Sequence, residues 1–417
     1  MAFLVTFLRW LVIVLPVLVL VVDPYVAAYG LSLASFVQRP RGRVLGAPRV
    51  GLCESSILPY GGYECQEYKV KTSDGYILGM QRVQAPGTKA NLPNTKVPVI
   101  LQHGVFLDGQ SWFVNVRSQT LPFVLADNGY DVWIANSRGT RYSSQHDCLH
   151  PSDWKFWDWS WDELAQYDLP ACVNYVYAQT QQKPHYIGHS QGTIIALAAF
   201  SEGKVYDKLR SASLLSPVAY LQHMTTLIGR VFARNFLGDL GFSMGLAEFD
   251  LQKFQLQHFV RSLCSLNNID CYDALTIFTG NNCCLNSSTI EEWLKGFPQP
   301  TSMKNMAHFS QTFHSGVFAK YDYGSLFANL KHYWHVSPSQ YNLNNIPKSF
   351  PLFISHGSRD ALSDPKDVNL LMDHLKSHDR DKLTYQFVKD YAHMDFIIGM
   401  SANDVVWNPM MAFLKRH

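Results

Sequence analysis

The chain has 417 residues, of which 47% are apolar and 16% are charged. This length is enough to bury a large core and to form a second lobe, and the composition excludes an intrinsically disordered chain. A formal net charge of +2 gives no reason to expect a nucleic-acid partner. A globular protein that does not bind nucleic acid is therefore expected.

The N-terminus carries a long apolar run. Residues 11–22 are apolar throughout, follow Arg9 and precede small residues that end at Ala28. A charged flank, an apolar stretch and small residues predict a secretory signal peptide over residues 1–28. The alternative is an uncleaved membrane anchor over residues 2–22, which would place Arg9 in the hydrocarbon core. The expected location is thus outside the cell or in the endomembrane lumen (vacuole or lysosome), with membrane anchoring as the alternative.

Residues 29–50 contain proline, glycine and four arginines, and are interpreted as a solvated linker rather than a patch that binds anionic lipid or nucleic acid. Asn286 opens the sequence Asn-Ser-Ser, which predicts a glycan on an exposed lumenal loop.

The eight cysteines are even in number and form no C-x-x-C pair, which argues against a zinc site and favours disulfides behind a signal peptide. Cys53 and Cys65 are one local candidate pair, and the group from Cys264 to Cys284 is the other. Cys172 lies on an apolar helix and is expected to be a buried free thiol.

Short apolar strands alternate with helices in the first half of the chain. An Asp-Gly turn at Asp74 predicts a hairpin over residues 66–81. The elements expected after it are strand 97–102, helix 121–128, strand 130–136, helix 162–180, strand 185–187, helix 193–200 and strand 212–216. Continuously apolar strands that alternate with helices predict the α/β class, with a mostly parallel central sheet and helices on both faces.

The alternation stops after Pro217 and resumes with strands at 351–355 and 383–388. Residues 218–347 remain apolar, and residues 227–259 combine phenylalanines with glycines. We interpret residues 218–347 as an inserted helical cap, or lid, whose phenylalanines are mostly core. The predicted α/β core therefore comprises residues 51–217 and 348–417.

The pentapeptide Gly188-His189-Ser190-Gln191-Gly192 stands between a predicted strand and a predicted apolar helix. Strand, G-x-S-x-G and helix together form the nucleophile elbow of the α/β-hydrolase fold, which makes Ser190 the candidate nucleophile. His189 is interpreted as a packing residue, because neighbouring side chains diverge at a sharp turn.

A serine hydroxyl needs a base within hydrogen-bond reach, and the base needs a carboxylate that orients it. In this fold the two partners follow the serine in the order Asp or Glu, then His. Asp360 and His393 each follow one of the two resumed strands, so both are expected at the carboxyl edge of the sheet beside Ser190. Asp364 is the rival of Asp360 and is expected to be a helix cap, and Asp395 is expected to be structural.

The oxyanion of an acyl-transfer reaction needs hydrogen-bond donors. One is the backbone N–H of the residue after the nucleophile, Gln191, and the other should come from the loop after strand 97–102. Val105 is the candidate in that loop, with Phe106 as the alternative, and His103 is interpreted as a residue that shapes the loop. No metal-ligand motif is present, and no cofactor is expected.

Five ordered motifs resemble the acid lipases of gastric, lysosomal and plant type. They are residues 101–104, 136–139, 156–171, 188–193 and 392–396, and the resemblance extends from about Gly51 to the C-terminus. Trp154, Trp157, Trp159 and Trp161 lie in or just before the third motif and are interpreted as packing residues.

The resemblance implies an α/β-hydrolase fold with a cap and a lipid-ester hydrolase with the triad Ser190, Asp360 and His393. It assigns the oxyanion donors to Val105 and Gln191. Members of the family commonly carry leucine where Val105 stands, which leaves the backbone donor in place but alters the acyl pocket. The stretch from Cys264 to Cys284 is nearer to the plant members than to the animal ones.

The expected function is that of a serine ester hydrolase, a lipase, which cleaves fatty-acyl esters of glycerolipids at a lipid–water interface through an acyl-enzyme. Sterol esters are a further candidate substrate. The alternatives within enzymes are an acyltransferase or a small-ester esterase with the same triad. The alternative outside enzymes is a non-catalytic lipid-binding protein on a hydrolase scaffold.

Overall fold

The computed structural model describes residues 50–85, 96–234, 237–243, 245–251, 275–276 and 278–417. The expected signal segment and nearly all of the linker lie outside these ranges, as do Cys264 and Cys271. Across the described ranges, no helix combines the length and apolarity that crossing a bilayer requires.

Eleven strands are present in the described residues. Their bounds are β1 Glu64–Lys71, β2 Tyr76–Gln84, β3 Pro98–Gln102, β4 Asp131–Ala135, β5 Gln145–His146, β6 His185–His189, β7 Ala212–Leu215, β8 Glu248–Phe249, β9 Thr301–Ser302, β10 Leu352–Gly357 and β11 Leu383–Val388. Nine of them form one sheet in the order β1-β2-β4-β3-β6-β7-β10-β11, with β5 paired to β2. The six strands from β4 to β11 in this order are parallel, and β2 runs antiparallel to them. The predicted α/β-hydrolase class is confirmed.

Helices connect the strands and cover the sheet. Their bounds are α1 Leu121–Asp127, α2 Trp161–Glu163, α3 Leu169–Thr180, α4 Gln191–Ser201, α5 Leu227–Arg234, α6 Leu237–Ser243, α7 Ser287–Gly296, α8 Met303–Ser315, α9 Leu326–Tyr333, α10 Pro365–Leu375, α11 Asp395–Ile398 and α12 Asn408–Arg416. A π-helical turn, Leu164–Asp168, joins α2 to α3, so the single predicted helix over 162–180 consists of three helical pieces.

The sheet is buried on both faces, which explains why its strands read as continuous apolar runs. In β3, Ile100 packs into the apolar layer on one face and Leu101 into the layer on the other. Tyr186 and Ile187 divide between the same two layers in β6. Successive side chains of a strand point to opposite faces, so a strand covered on both sides needs apolar residues at every position.

Residues 218–347 leave the sheet after β7, and the chain returns to it at β10. β7 and β10 are neighbours in the sheet, with Ser213 opposite Phe353, and the N–H of Ser216 donates to the carbonyl of Ser355 at 2.9 Å. None of the described part of 218–347 adds a strand to the large sheet. Within it, α8 packs on α5 and α6, and β8 pairs with β9. The assignment of this insertion as a separate cap remains a prediction.

The described cysteines divide into bonded and free ones. Cys53 and Cys65 form a disulfide, as predicted, and Cys283 is bonded to Cys284. Cys172 is a buried free thiol, which confirms that prediction as well.

Three of these four tryptophans, Trp157, Trp159 and Trp161, are buried in the apolar core. Trp154 differs because it is exposed, and its ring meets that of Phe242 at a centroid distance of 5.3 Å. The packing interpretation therefore holds for the three, while Trp154 contacts α6 of the insertion.

Candidate active site

Ser190 occupies the sharp turn between β6 and α4, with φ of 54° and ψ of −118°. Side chains rarely adopt such a positive φ, and strained turns of this kind concentrate at functional sites. A Cβ on Gly188 would lie 2.8 Å from the carbonyl oxygen of Gly192, and a Cβ on Gly192 would lie 2.7 Å from that of Gln102. Both positions require glycine, so the G-x-S-x-G pattern follows from the close approach of strand, turn and helix.

Asp360 and His393 form a buried ion pair in the loops after β10 and β11. His393 Nδ1 lies 2.9 Å from Oδ2 and 3.0 Å from Oδ1 of Asp360, and since a carboxylate only accepts, Nδ1 carries the proton. The backbone N–H groups of Leu362 and Ser363 donate to the same carboxylate at 2.9 and 2.8 Å. Burial alone would raise the pKa of Asp360, but the charge of His393 and these hydrogen bonds outweigh burial and lower it. With a proton on Nδ1, Nε2 is the ring nitrogen that can act as a base.

Asp364 and Asp395, the two other aspartates considered from the sequence, have structural contacts. Asp364 caps α10, with its carboxylate accepting the N–H of the second residue of that helix at 2.8 Å. Asp395 accepts from the N–H groups of Ala392, Cys283 and Cys284 at 2.7, 3.1 and 3.1 Å. Burial raises the pKa of Asp395 to about 6 although these hydrogen bonds act in the opposite direction. Neither side chain pairs with His393.

His189 holds the loop that carries His393, which sequence reasoning missed. Its Nε2–H donates to the backbone carbonyl of His393 at 2.9 Å, and the two rings lie 4.8 Å apart between centroids. Burial, together with the nearby charge of His393, lowers the pKa of His189 to about 3, so the ring is neutral at ordinary pH. The available signal was a histidine that ends a buried strand and stands directly before the candidate nucleophile.

A short part of the insertion also supports the two loops. The carbonyl of Thr279 accepts from the N–H of Ala361 at 3.4 Å and from the N–H of His393 at 3.3 Å. Asn282 Oδ1 accepts from the N–H of Met394 at 3.1 Å. No sequence motif marks this stretch, because its contribution is made by backbone groups and by one amide.

The loop after β3 approaches Ser190 closely. A Cβ on Gly104 would lie only 2.8 Å from Ser190 Cβ, so this glycine brings the backbone against the nucleophile. Among the described residues, no hydrogen bond takes up the N–H of Val105, Phe106 or Gln191. Val105 and Phe106 follow Gly104 directly, so both N–H groups remain candidates for the donor that this loop supplies.

His103 ties this loop to the end of β4. Its Nε2 accepts from the N–H of Ser137 at 3.1 Å, and its Nδ1–H donates to the carbonyl of Gly104 at 2.8 Å. Gln102 Nε2 donates to Ser137 Oγ at 3.0 Å. Burial lowers the pKa of His103 to about 4, which keeps the ring neutral and able to accept. The residue shapes the loop, as expected.

One group of potential metal ligands comes together in the described ranges, namely Cys283, Cys284 and Asp395. The two sulfurs are bonded to each other, and the carboxylate is occupied by three backbone N–H groups. Metal ligation by cysteine requires thiolates, so these residues do not fit a metal site.

Comparison with known proteins gives matches over most of the chain. Residues 97–399 match the family model described as the alpha/beta hydrolase fold, and residues 55–116 match a partial alpha/beta-hydrolase lipase region. Triacylglycerol lipase 2 of Arabidopsis thaliana is 48% identical over 396 residues, which cover 93% of this chain and 94% of that protein. Gastric triacylglycerol lipase of Homo sapiens is 36% identical over 378 residues, which cover 89% and 92%. A solved structure of a putative lipase from Sulfolobus solfataricus covers 85% of this chain and 95% of its own, with a TM-score of 0.55 at 15% identity, and this likeness concerns the fold alone.

Proposed function

This chain belongs to the α/β-hydrolase lipases, the family that its motifs predicted, and on that premise we propose that it hydrolyses fatty-acyl esters of glycerolipids through Ser190, His393 and Asp360. The observation that carries the assignment of residues is the buried Asp360–His393 pair, whose loop is hydrogen-bonded to the residue directly before Ser190. Acylglycerols are the proposed substrates because two of the relatives are named triacylglycerol lipases.

Acylation begins when Ser190 Oγ attacks the carbonyl carbon of the ester while His393 Nε2 takes its proton. The carbonyl oxygen becomes an oxyanion, which accepts from the N–H groups of Val105 and Gln191. Each such donor contributes roughly 3–4 kcal/mol to the transition state. The tetrahedral intermediate collapses as His393 returns the proton to the leaving glycerol oxygen, and the acyl group remains as an ester on Ser190.

Deacylation repeats these steps with water as the nucleophile. His393 takes a proton from water, the hydroxide oxygen bonds to the acyl carbon, and the proton passes to Ser190 Oγ as the fatty acid leaves. Asp360 remains ionised throughout, because its low pKa disfavours taking the proton from the imidazolium. Its role is to orient the ring and to stabilise the imidazolium charge.

The insertion covers this site and is the proposed lid. Asn305, at the start of α8, donates to Gln191 Oε1 at 3.3 Å, and Thr279 contacts the His393 loop. Ser190 is buried, so an ester of a long-chain fatty acid reaches it only if part of the insertion moves. We therefore include the lipid–water interface among the proposed partners.

The proposed location is extracellular or lumenal. The Cys53–Cys65 disulfide supports an oxidising compartment. Asn286 is exposed and caps α7 by accepting from the N–H of Ser288 at 3.0 Å through Oδ1. The cap uses the oxygen, and the amide nitrogen is the atom that a glycan requires. Mass spectrometry of protein secreted from eukaryotic cells, before and after glycosidase treatment, tests this assignment.

The test of function is fatty-acid release from emulsified triolein and from soluble p-nitrophenyl butyrate, with Ser190→Ala as the matched control. We expect release from both esters and its loss in the variant. Turnover of the soluble ester alone would make the protein an esterase. Acyl transfer to an added alcohol in preference to water would make it a transferase. Binding of the emulsion without turnover of either ester would make it a lipid-binding protein.

A further inference from the structure

Helix α9 presents an apolar face to solvent. Phe327 and Trp334 are 84% and 85% exposed, and their neighbours on the helix and just after it are also exposed. We call this set the α9 apolar face, and its members are Leu326, Phe327, Leu330, Trp334 and Val336. Single apolar residues at a surface are common, whereas a contiguous apolar patch indicates a binding surface.

The opposite side of α9 is anchored, so its orientation is fixed. Asn329 is buried, donates to Asp322 Oδ1 at 2.9 Å and accepts from the N–H of Tyr323 at 3.0 Å. Tyr333 Oη donates to the carbonyl of Tyr321 at 2.9 Å. Asn329 and Tyr333 therefore face the protein while Leu326, Phe327 and Leu330 face outward, so the apolar residues of this helix lie on its solvent side, unlike those of an ordinary surface helix.

Trp334 ends the helix in the left-handed conformation, with φ of 60°. This position favours glycine, because a side chain there costs free energy. The indole ring gains no compensating packing, since 85% of the residue is exposed. A tryptophan at this position contributes nothing to folding that glycine would not contribute better, so its use must lie in contact with something outside the fold.

Lys331 places a positive charge beside the α9 apolar face. The sequence from residue 323 to residue 359 contains no aspartate or glutamate, and Lys331 is exposed next to the apolar residues. Burial lowers the pKa of His332, so this neighbour adds no charge near neutral pH. The carboxylates of Asp158 and Glu163, on the neighbouring loop and on α2, pair with Lys304 at 3.2 and 3.3 Å. Apolar and aromatic side chains bordered by cations are typical of helices that lie in the surface of a lipid layer with negative charge.

The α9 apolar face is connected to the candidate active site through the first turn of α8. The ring of His332 stacks on Tyr323 at a centroid distance of 3.7 Å, and Tyr323 Oη contacts Lys304 Nζ at 3.2 Å. The next residue, Asn305, contacts Gln191 beside the nucleophile. These contacts join α9 to the residue that directly follows the candidate nucleophile.

We infer that the α9 apolar face binds the surface of a lipid droplet whose monolayer carries anionic amphiphiles. The inference rests on the proposed function, which makes such a surface the source of the substrate and adds fatty-acid anions to it during turnover. Phe327 and Trp334 insert among the acyl chains, and Lys331 contacts the carboxylate or phosphate groups above them.

The test measures partitioning of the full chain, in a Ser190→Ala background, onto triolein droplets coated with phosphatidylcholine, with and without oleate. The variant is the double substitution Phe327→Gln and Trp334→Gly, and the control is Phe387→Gln, an exposed aromatic residue on β11. We expect the partition coefficient of the double variant to fall on the order of tenfold, the control to bind as the parent does, and the melting temperature of Trp334→Gly alone to stay level or rise.

The charge is tested separately. Lys331→Glu should abolish the gain in binding that oleate gives, whereas Lys376→Glu, an exposed lysine at the end of α10, should leave that gain in place. Because binding is measured without turnover, failure of the lipase assignment would not disturb this result. Equal partitioning of parent and double variant would overturn the inference. If light scattering showed that the parent is a dimer and the double variant a monomer, with partitioning unaltered, the inference would also be overturned, and a second copy of the chain would be the partner of the α9 apolar face.

Discussion

The side chain of His189 donates a hydrogen bond to the backbone carbonyl of His393 at 2.9 Å. This contact joins the residue before the candidate nucleophile to the backbone of the candidate base, so the two loops that must align for proton transfer are linked directly. Its Nδ1 is buried and has no hydrogen-bond partner among the described residues. The hydrogen bond from Nε2 is therefore the polar contact for which this ring is suited.

Substitution His189→Ala should lower kcat for p-nitrophenyl butyrate by about 10- to 100-fold with little change in KM, because a misplaced base slows chemistry more than binding. His189→Gln, whose amide nitrogen can donate in place of Nε2, should recover part of the loss. Stopped-flow kinetics on both variants, with melting curves as a check on folding, test this. A purely structural role would lower the melting temperature of His189→Ala while leaving kcat of the folded fraction unchanged.

Asp360 and Asp364 offer a matched pair of substitutions. Asp360→Asn should lower kcat about 10⁴-fold, because an amide cannot hold His393 in the same tautomer or stabilise its positive charge. Asp364→Asn should retain activity and cost less than about 1 kcal/mol of unfolding free energy, since asparagine also caps helices well. Ester hydrolysis and urea unfolding measure the two effects. Equal activities of the two variants would show that Asp360 is not the carboxylate on which His393 depends.

Gly104 places backbone against the nucleophile, so a single methyl group at this position should disturb catalysis. A Cβ there would lie 2.8 Å from Ser190 Cβ and 3.3 Å from Oγ, so Gly104→Ala should displace the hydroxyl or the adjoining Val105 N–H. We expect kcat to fall about 10²-fold, as for loss of one oxyanion donor. Gly296→Ala is the control, because the atom nearest to a Cβ there is a side-chain nitrogen, Arg141 Nη2 at 3.2 Å, and not the nucleophile. Full activity of Gly104→Ala would show that this loop does not supply an oxyanion donor.

Asp162 should make stability depend on pH where the insertion meets the core. It accepts from Tyr341 Oη at 2.6 Å and from the N–H of Tyr321 at 2.8 Å, and burial together with Glu163 raises its pKa from 3.8 to about 7. Between these two pH values the folded state binds more protons at Asp162 than the unfolded state does. The contribution of Asp162 to the free energy of unfolding is therefore present at acid pH and is lost as pH rises toward 7.

Asp162→Asn removes this titration. The unfolding free energy of the parent should therefore fall relative to that of the variant as pH rises through that window, by on the order of 4 kcal/mol in total. Urea unfolding at a series of pH values measures it. A difference that stays constant with pH would show that the carboxyl keeps an ordinary pKa in the folded protein.

The sequence alone predicts those parts of the site in which local geometry requires a particular side chain or a glycine. Ser190 and its two glycines follow from one close approach, and the order of Asp360 and His393 follows from the order of the strands. The supports of the site were not predictable in the same way. Thr279 acts through its carbonyl and His189 through a contact with a residue far along the chain, and neither leaves a pattern in its own neighbourhood. The helical split between α2 and α3 is a further example, because a π-turn preserves the apolar periodicity on either side of it.

The adjacency of β7 and β10 closes the sheet without help from the residues between them. Since Ser216 and Ser355 are already joined by sheet hydrogen bonding, the proposed cap departs and returns at one seam. Parts of the cap that do not contact the Asp360 and His393 loops could therefore shift to admit an ester while the strand ends that carry the nucleophile, acid and base keep their register.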